Sequence, residues 1–228
     1  MSENSWRFDG PVQTHAERVV SETFEQLLGA TRVVPVITID DAERAVALAR
    51  ALVAGGLPVL EVTLRTDAGL EAIRRIAAAV PEAVVGAGTV TTPAQLHAAR
   101  AAGARFIVSP GCTDALAQAA AQAGGAFLPG AVTASEVLRL LERGITTMKF
   151  FPAQSSGGIA AIRALAGPFP QVGFCPTGGI DLELAGAYLA LPNVVCVGGS
   201  WMVAPELISA GDWPRVTALA AAAVAATS

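Results

Sequence analysis

The sequence is poor in several residue types that mark particular classes of protein. Its 228 residues include three cysteines and two histidines, and only one of its fifteen basic residues is a lysine. Cys112, Cys175 and Cys196 are odd in number, widely spaced and without a C-x-x-C motif, so a disulfide framework is not expected and reduced thiols are favoured. A net charge of −4 with scattered arginines leaves no basic stripe. Nucleic acid is therefore not an expected partner.

A membrane-spanning run and a targeting segment are also lacking, although 53% of the residues are hydrophobic. The longest uncharged stretches, 115–135 and 184–205, are broken by glycine, proline or asparagine, which is typical of strands and turns. The first ten residues carry acidic side chains and no apolar core, unlike a secretory signal. We expect a soluble cytoplasmic protein that makes no membrane contact.

From residue 33 onward, short β-rich apolar runs alternate with amphipathic Ala/Leu-rich helical stretches. The predicted strands are 33–39, 58–64, 83–89, 106–110, 126–130, 146–152, 171–177 and 194–199. Eight strand–helix units within one chain of this length predict an α/β fold, a (β/α)₈ TIM barrel with parallel strands. An open doubly wound sheet would give the same alternation. It is disfavoured because no G-x-G-x-x-G opens the first unit and the count stops at eight.

No linker or low-complexity segment divides the chain, so we predict one domain over 1–228. Within it, 31–215 would form the barrel core and 216–228 a C-terminal helix. Residues 1–30 would add an N-terminal helical extension over the bottom of the barrel, with Thr23 and Gln26 as a possible capping box. Capping residues predict further helix starts at Asp40 or Asp41, Asp67, Thr92, Thr113, Thr133 and Asp181.

The single lysine, Lys149, lies in the sixth predicted strand. Alternation places Thr147, Lys149 and Phe151 on one face of that strand, with Met148 and Phe150 on the other. Methionine and phenylalanine suit the helix layer, so Lys149 should point into the barrel near the carboxyl end of its strand, where such barrels carry their chemistry. Burial favours a neutral amine, which can attack a ketone and form a Schiff base, whereas arginine cannot. The alternative is a lysine whose ammonium extends to solvent.

The second predicted strand adds a carboxylate and a cation to the same interior. Glu61, Thr63 and Arg65 share one face, and their apolar neighbours share the other. A buried carboxylate can accept and donate protons, and an arginine at the rim can form bidentate hydrogen bonds with a substrate carboxylate. The alternative is an internal Glu–Arg salt bridge that only fills the barrel.

Small polar residues and glycines end other strands. Thr89 and Thr177 close the third and seventh strands, where each could bind a substrate or cap a helix. Gly-Gly motifs follow the seventh and eighth strands, in PTGGID (176–181) and VGGSWM (197–202). Backbone amides of these two loops commonly bind phosphate in (β/α)₈ barrels, and glycine allows an anion to come close. The candidate phosphate-binding residues are Gly178, Gly179, Gly199 and Ser200.

Taken in order, EVTLRT, GAGT, SPG, KFFPA, FCPTGGI and GGSWM resemble the motifs of the 2-dehydro-3-deoxy-phosphogluconate aldolase family, whose members often also cleave 4-hydroxy-2-oxoglutarate. The resemblance runs over about 31–215. It implies a lyase, a class I aldolase that is usually a homotrimer and uses no metal or other cofactor. It also implies that Lys149 forms the Schiff base, Glu61 is the general acid and base, and Arg65 binds the pyruvoyl carboxylate.

The same resemblance implies the remaining substrate contacts. Thr89 and Thr177 match substrate-binding threonines, Pro110 and Phe151 line the pocket, and the glycine loops match the phosphate positions. The partners would be a phosphorylated 2-keto-3-deoxy sugar acid, pyruvate and an aldehyde. Gln154 stands where the family commonly has a glutamate after KFFPA, which bears on specificity and not on the chemistry.

Five other functions compete with this interpretation. Two are sister aldolases, one for the galactonate-derived substrate and one acting mainly on 4-hydroxy-2-oxoglutarate. A phosphosugar isomerase or epimerase would use carboxylates or a Cys/His pair, but His15 and His97 lie outside the strand ends. A non-catalytic phospho-ligand-binding barrel would not need Glu61, Arg65 and Lys149 together. A metal-dependent class II aldolase needs clustered ligands that the strand ends do not supply.

Overall fold

The structure is a computed structural model that describes residues 23–227, and it confirms the predicted (β/α)₈ barrel. Every predicted strand is present, somewhat shorter than its apolar run. The strands are β1 Val33–Ile37, β2 Val59–Thr63, β3 Val84–Gly88, β4 Phe106–Val108, β5 Ala126–Leu128, β6 Thr147–Phe150, β7 Gly173–Pro176 and β8 Val197–Gly199.

The helices, apart from α1 before β1, follow the strands in turn and form the outer layer. They are α1 Phe24–Leu28, α2 Ala45–Ala54, α3 Gly69–Ala79, α4 Pro93–Ala101, α5 Asp114–Ala123, α6 Ala134–Leu141, α7 Gly158–Ala166, α8 Leu182–Leu189, α9 Pro205–Ala210 and α10 Trp213–Thr227. Short 3₁₀ turns, Ala42–Arg44 and Trp201–Val203, precede α2 and follow β8. The helix predicted for 216–228 corresponds to α10, which begins three residues earlier, and α9 is an element that the sequence pattern did not predict.

The strands close into a barrel and do not form an open sheet. Six of them pair in parallel in the order β5-β4-β3-β2-β1-β8, and β6 pairs with β7. Isolated bridges join the two groups: Gly130 with Lys149 on one side, and Phe174 with Val194 and Thr177 with Gly198 on the other. At the first of these the Lys149 N–H donates to the carbonyl oxygen of Pro129 at 2.8 Å. With these bridges every strand has a neighbour on both sides and no edge strand remains among the described residues, so the alternative of an open doubly wound sheet is excluded.

The alternation of the strands divides the core into two layers. Leu60, Val62, Met148 and Phe150 lie in the layer between strands and helices, as predicted. A second cluster fills the interior of the barrel toward the amino ends of the strands and includes the buried thiols Cys175 and Cys196. The Cys175 thiol and burial raise the pKa of Cys196 well above its usual range, so this thiol stays protonated.

Helix α1 covers the amino-terminal end of the barrel. Its Phe24, Leu27 and Leu28 are buried in the interior cluster, and the Phe24 ring meets the Phe106 ring edge-on with centroids 5.4 Å apart. The predicted capping box is confirmed: the Gln26 N–H donates to the Thr23 hydroxyl at 3.3 Å, and the Thr23 N–H donates to the Gln26 side chain at 2.8 Å. The rest of the predicted extension, 1–22, lies outside the described residues.

Most of the predicted helix starts are confirmed, but the start predicted at Asp67 is wrong. Thr92, Thr113, Thr133 and Asp181 cap α4, α5, α6 and α8, and Asp41 caps the 3₁₀ turn before α2.

Helix α3 instead begins at Gly69, after Ala68, with no side-chain cap. The Thr66 hydroxyl donates to the carbonyl oxygen of Ile39, which holds the chain in a turn beyond β2. The start of α3 then lies against the Thr63 carbonyl, where a Cβ on Gly69 would not fit.

Over residues 23–227, no helix has both the length and the apolar character needed to cross a membrane.

Candidate active site

Lys149 and Glu61 meet inside the barrel, although they are 88 residues apart in the chain. β6 and β2 lie on opposite sides of the eight-stranded wall, and the two side chains reach across the interior toward each other. The Lys149 Nζ lies 2.9 Å from Oε1 and 3.2 Å from Oε2 of Glu61. The residues are only 4% and 3% exposed, so the lysine does not extend to solvent. Among the described residues, the ion-pair partner of Glu61 is Lys149 and not Arg65.

Neighbouring strands leave room for this pair. Gly88 of β3 lies directly beside the Glu61 side chain, and a Cβ at this position would overlap the carboxylate. On the lysine side, Nζ lies 5.3 Å from the centroid of the Phe151 ring, a favourable position for a cation over an aromatic face. A buried charge pair is costly to desolvate unless its geometry is good, and losing either partner would leave an uncompensated charge. The contact also lies within the range for proton transfer between the amine and the carboxylate.

A cavity of about 420 Å³ opens at the carboxyl ends of the strands, close to this pair. Its volume is in the range of small-molecule sites. The cavity is lined by seven of the residues that the sequence predicts for the site: Arg65, Phe151, Thr177, Gly178, Gly179, Gly199 and Ser200. Lys149 and Glu61 lie inward of this cavity. Phe151 connects the cavity with the ion pair, because its ring lines the cavity and also contacts the lysine.

The two glycine loops form one wall of the cavity. Gly178 and Gly179 have φ values of 102° and 73°, a left-handed conformation that favours glycine. Gly199 packs against the ring of Trp201, where a Cβ would overlap the indole. Ser200 directly precedes the 3₁₀ turn Trp201–Val203. Consecutive backbone N–H groups in such turns form anion-binding concavities, so this wall of the cavity can receive a phosphate.

Thr89 and Pro110 lie at the same end of the barrel but do not line this cavity. Thr89 follows β3 and has a φ of 58°, the single positive φ of a non-glycine residue within 23–227. Such a conformation is strained for a β-branched residue, and strain of this kind is found mostly at functional sites. The alternative of a helix cap fails for both predicted threonines, because Thr92 caps α4 and Asp181 caps α8.

Six residues that line the cavity were not predicted from the sequence, and two of them, Val36 and Thr38, belong to the first strand–helix unit. The run VVPVITI is apolar throughout except for Thr38, so neither face of it stands out as polar. The available signal was the alternation, which puts Val36 and Thr38 on the same face. The Thr38 hydroxyl lies 3.1 Å from that of Thr63 on β2, and the Thr63 hydroxyl lies 3.0 Å from the carbonyl oxygen of Ile37.

Metal-binding side chains do not gather in the part of the chain that the structure describes. Over 23–227, no three His, Cys, Asp or Glu side chains come close enough to hold a metal ion.

Residues 24–219 match the sequence profile of the family described as KDPG and KHG aldolase. A 2-dehydro-3-deoxy-phosphogluconate aldolase of Dickeya dadantii is 53% identical over 201 residues, which cover 88% of this chain and 94% of the relative. A KHG/KDPG aldolase of Escherichia coli is 51% identical over 200 residues, with 88% and 94% covered.

A solved structure is similar over the whole barrel. The KDPG aldolase of Legionella pneumophila, with pyruvate captured at low pH as a covalent carbinolamine intermediate, superposes with a TM-score of 0.85. It is 46% identical in sequence, and the match covers 87% of this chain and 97% of the other. A carbinolamine forms when an amine adds to a ketone, which is the chemistry available to a lysine.

Proposed function

The chain belongs to the KDPG and KHG aldolase family, and we propose that it is a class I aldolase for 2-dehydro-3-deoxy-6-phosphogluconate. This lyase would cleave that substrate to pyruvate and glyceraldehyde 3-phosphate. We propose the cleavage of 4-hydroxy-2-oxoglutarate to pyruvate and glyoxylate as a second activity, supported by the Escherichia coli relative. The observation that carries the proposal is the 2.9 Å contact of Lys149 with Glu61, beside a cavity lined by Arg65 and two glycine loops.

The first stage joins the substrate to the enzyme. Once its ammonium has given a proton to Glu61, the Lys149 Nζ attacks the C2 carbonyl carbon. The new C–N bond gives a carbinolamine, and Glu61 returns a proton so that the C2 oxygen leaves as water. The product is an iminium that can accept an electron pair from C3. The Glu61 oxygens at 2.9 and 3.2 Å from Nζ support this assignment of the proton carrier.

The second stage breaks the carbon–carbon bond. Glu61, directly or through one water, takes the proton of the C4 hydroxyl. The C4–O bond becomes a carbonyl, the C3–C4 bond breaks, and its electron pair forms an enamine with the former iminium. The aldehyde leaves, Glu61 gives the proton to C3, and water hydrolyses the resulting iminium to pyruvate and the free Lys149 amine. No metal or other cofactor takes part in this scheme.

The two ends of the substrate are held by different groups. The exposed Arg65 at the rim of the cavity can bind the C1 carboxylate with two parallel hydrogen bonds. The amides of the two glycine loops can bind the phosphate, with the Ser200 hydroxyl as a further donor. Thr177 follows β7 directly before the first glycine loop and also lines the cavity. Thr89 and Pro110 complete the proposed set, supported by the family resemblance and, for Thr89, by its strained backbone.

Ser200→Ala should raise the KM for the phosphorylated substrate about tenfold and change kcat little, because the variant loses one hydrogen bond to a charged group distant from the reacting carbons. Steady-state kinetics with both substrates would measure this. For 4-hydroxy-2-oxoglutarate, which has no phosphate, we expect a much smaller change in KM. An unchanged KM for the phosphorylated substrate would remove Ser200 from the phosphate site.

Borohydride trapping with pyruvate tests the proposed function directly. Reduction should fix one pyruvate on the peptide that contains Lys149, as seen by intact mass and peptide mapping. The chain has no other lysine, so the N-terminal amine is the one competing site. Lys149→Arg serves as the matched control and should give no adduct on this peptide. If the folded wild-type protein gives none either, Lys149 is structural and a binding or isomerase role must be considered instead.

Substrate stereochemistry and assembly complete the proposal. A sister aldolase acting on the galactonate-derived epimer would differ at C4, and cleavage assays with both epimers separate the two.

We also propose a homotrimer in the cytoplasm, supported by the resemblance to the family. Light scattering on the purified full-length chain measures the assembly.

A further inference from the structure

Thr38 is a polar side chain of the cavity to which the proposed mechanism gives no role. It lies just beyond β1, the strand between β2, which precedes Arg65, and β8, which precedes Ser200. The proposed substrate spans these same two positions, with its carboxylate at Arg65 and its phosphate at the glycine loops. Thr38 therefore lies along the middle of the substrate.

The hydrogen bonds behind Thr38 determine which way its own hydrogen points. The Thr63 hydroxyl is fully buried and lies 3.0 Å from the carbonyl oxygen of Ile37, which can only accept. Thr63 has one hydroxyl hydrogen and donates it there. At 3.1 Å from Thr38, the Thr63 oxygen must then accept, so Thr38 is the donor of that contact. The Thr38 oxygen is left with free lone pairs, and it faces the cavity as an acceptor.

This acceptor differs from the groups that would bind the two ends of the substrate. Arg65 and the backbone amides of the glycine loops are donors, suited to the two anionic ends of the substrate. An acceptor oxygen repels an anion and binds a hydroxyl. The group that Thr38 recognises is therefore a substrate hydroxyl.

The register of β1 and β2 indicates which hydroxyl this is. Val36 is paired with Glu61, so these two residues mark the level at which the C4 hydroxyl gives up its proton. Thr38 follows Val36 by two residues on the same face and lies roughly 6–7 Å further toward the cavity mouth. Beyond C4, the next hydroxyl of the phosphorylated substrate is on C5.

We propose that Thr38 is a specificity-determining residue that accepts a hydrogen bond from the C5 hydroxyl of the phosphorylated substrate. This rests on the proposed function and deepens it, because the two candidate substrates differ at this carbon. In 4-hydroxy-2-oxoglutarate C5 is a carboxylate, which has no hydrogen to donate and places its oxygens against that of Thr38. Thr38 thus favours the six-carbon phosphorylated substrate over the five-carbon dicarboxylate.

Thr38→Val tests this, because valine keeps the shape of the side chain and removes the hydroxyl. We expect the ratio of kcat/KM for the phosphorylated substrate to kcat/KM for 4-hydroxy-2-oxoglutarate to fall about tenfold, the effect of one neutral hydrogen bond. Thr38→Ser is the matched control, since it keeps the hydroxyl and loses the methyl group, and its ratio should stay close to that of the wild type.

Two other outcomes of these measurements contradict the role of Thr38. An unchanged ratio in Thr38→Val, whether both activities fall together or neither does, overturns the proposal. An equal fall of this ratio in Thr38→Ser would assign the effect to packing of the methyl group, and it would also overturn the proposal. Borohydride trapping of pyruvate on the same variants keeps the two proposals apart. Wild-type protein that traps no pyruvate refutes the aldolase function itself, whereas trapping with an unchanged ratio refutes only the role of Thr38.

Discussion

Lys149→Arg should lower turnover by roughly 10⁴-fold or more, because the guanidinium is always protonated and cannot form a Schiff base. The positive charge beside Glu61 is kept, so the barrel interior still holds a charge pair. The measurement is kcat for cleavage of the phosphorylated substrate, followed through the pyruvate released. Circular dichroism and a thermal melt on the same sample show that the variant is folded.

Comparison with Lys149→Ala separates the chemical from the structural effect of this change. The alanine variant leaves the Glu61 carboxylate buried without its partner, at a cost of about 3–5 kcal/mol if the carboxylate stays charged. It should therefore lose stability as well as activity, whereas the arginine variant should lose activity in a better-folded protein. Near-normal turnover of either variant would overturn the Schiff-base mechanism.

Glu61→Gln should lower cleavage by about 10²–10⁴-fold, the usual contribution of a general acid or base. Glutamine keeps the size of the side chain, and its amide oxygen can still accept a hydrogen bond from Lys149. It cannot take up the proton of the C4 hydroxyl or return one to C3. The imine with pyruvate should still form, more slowly, because the attacking amine remains in place.

Two measurements on Glu61→Gln distinguish these steps. Borohydride should still fix pyruvate on the Lys149 peptide after a long incubation. Exchange of the pyruvate methyl protons with deuterated solvent, followed by NMR, should be lost together with cleavage. Exchange at the wild-type rate would show that another group moves the C3 proton.

The strand pattern was sufficient to predict where Lys149 and Glu61 point. Each is a charged residue flanked by apolar neighbours on a short strand, and those neighbours, such as Val62 and Met148, do lie in the helix layer. Burial of the apolar face is enough to orient the strand, because a shift of one residue would turn every side chain to the other face. The closed order of the strands then brings the second and sixth together across the barrel.

Other features depend on contacts that a strand pattern does not contain. Thr38 looked like one more β-branched residue in an apolar run, and its role depends on a neighbouring strand that supplies Thr63. Asp67 has the right chemistry for a cap, but the turn held by Thr66 moves the start of α3 to Gly69. Helix boundaries of this kind are decided by tertiary contacts and not by the capping residue alone.

The close approach of Gly88 to the Glu61 carboxylate also constrains how this chain can evolve. Any side chain at position 88 would displace the carboxylate from the space it now fills beside the lysine. An alanine there becomes tolerable only after residue 61 has been shortened, and shortening residue 61 moves the carboxylate away from the amine. The two positions are therefore epistatic, so that descendants of this sequence would keep the glycine and the glutamate together or lose both.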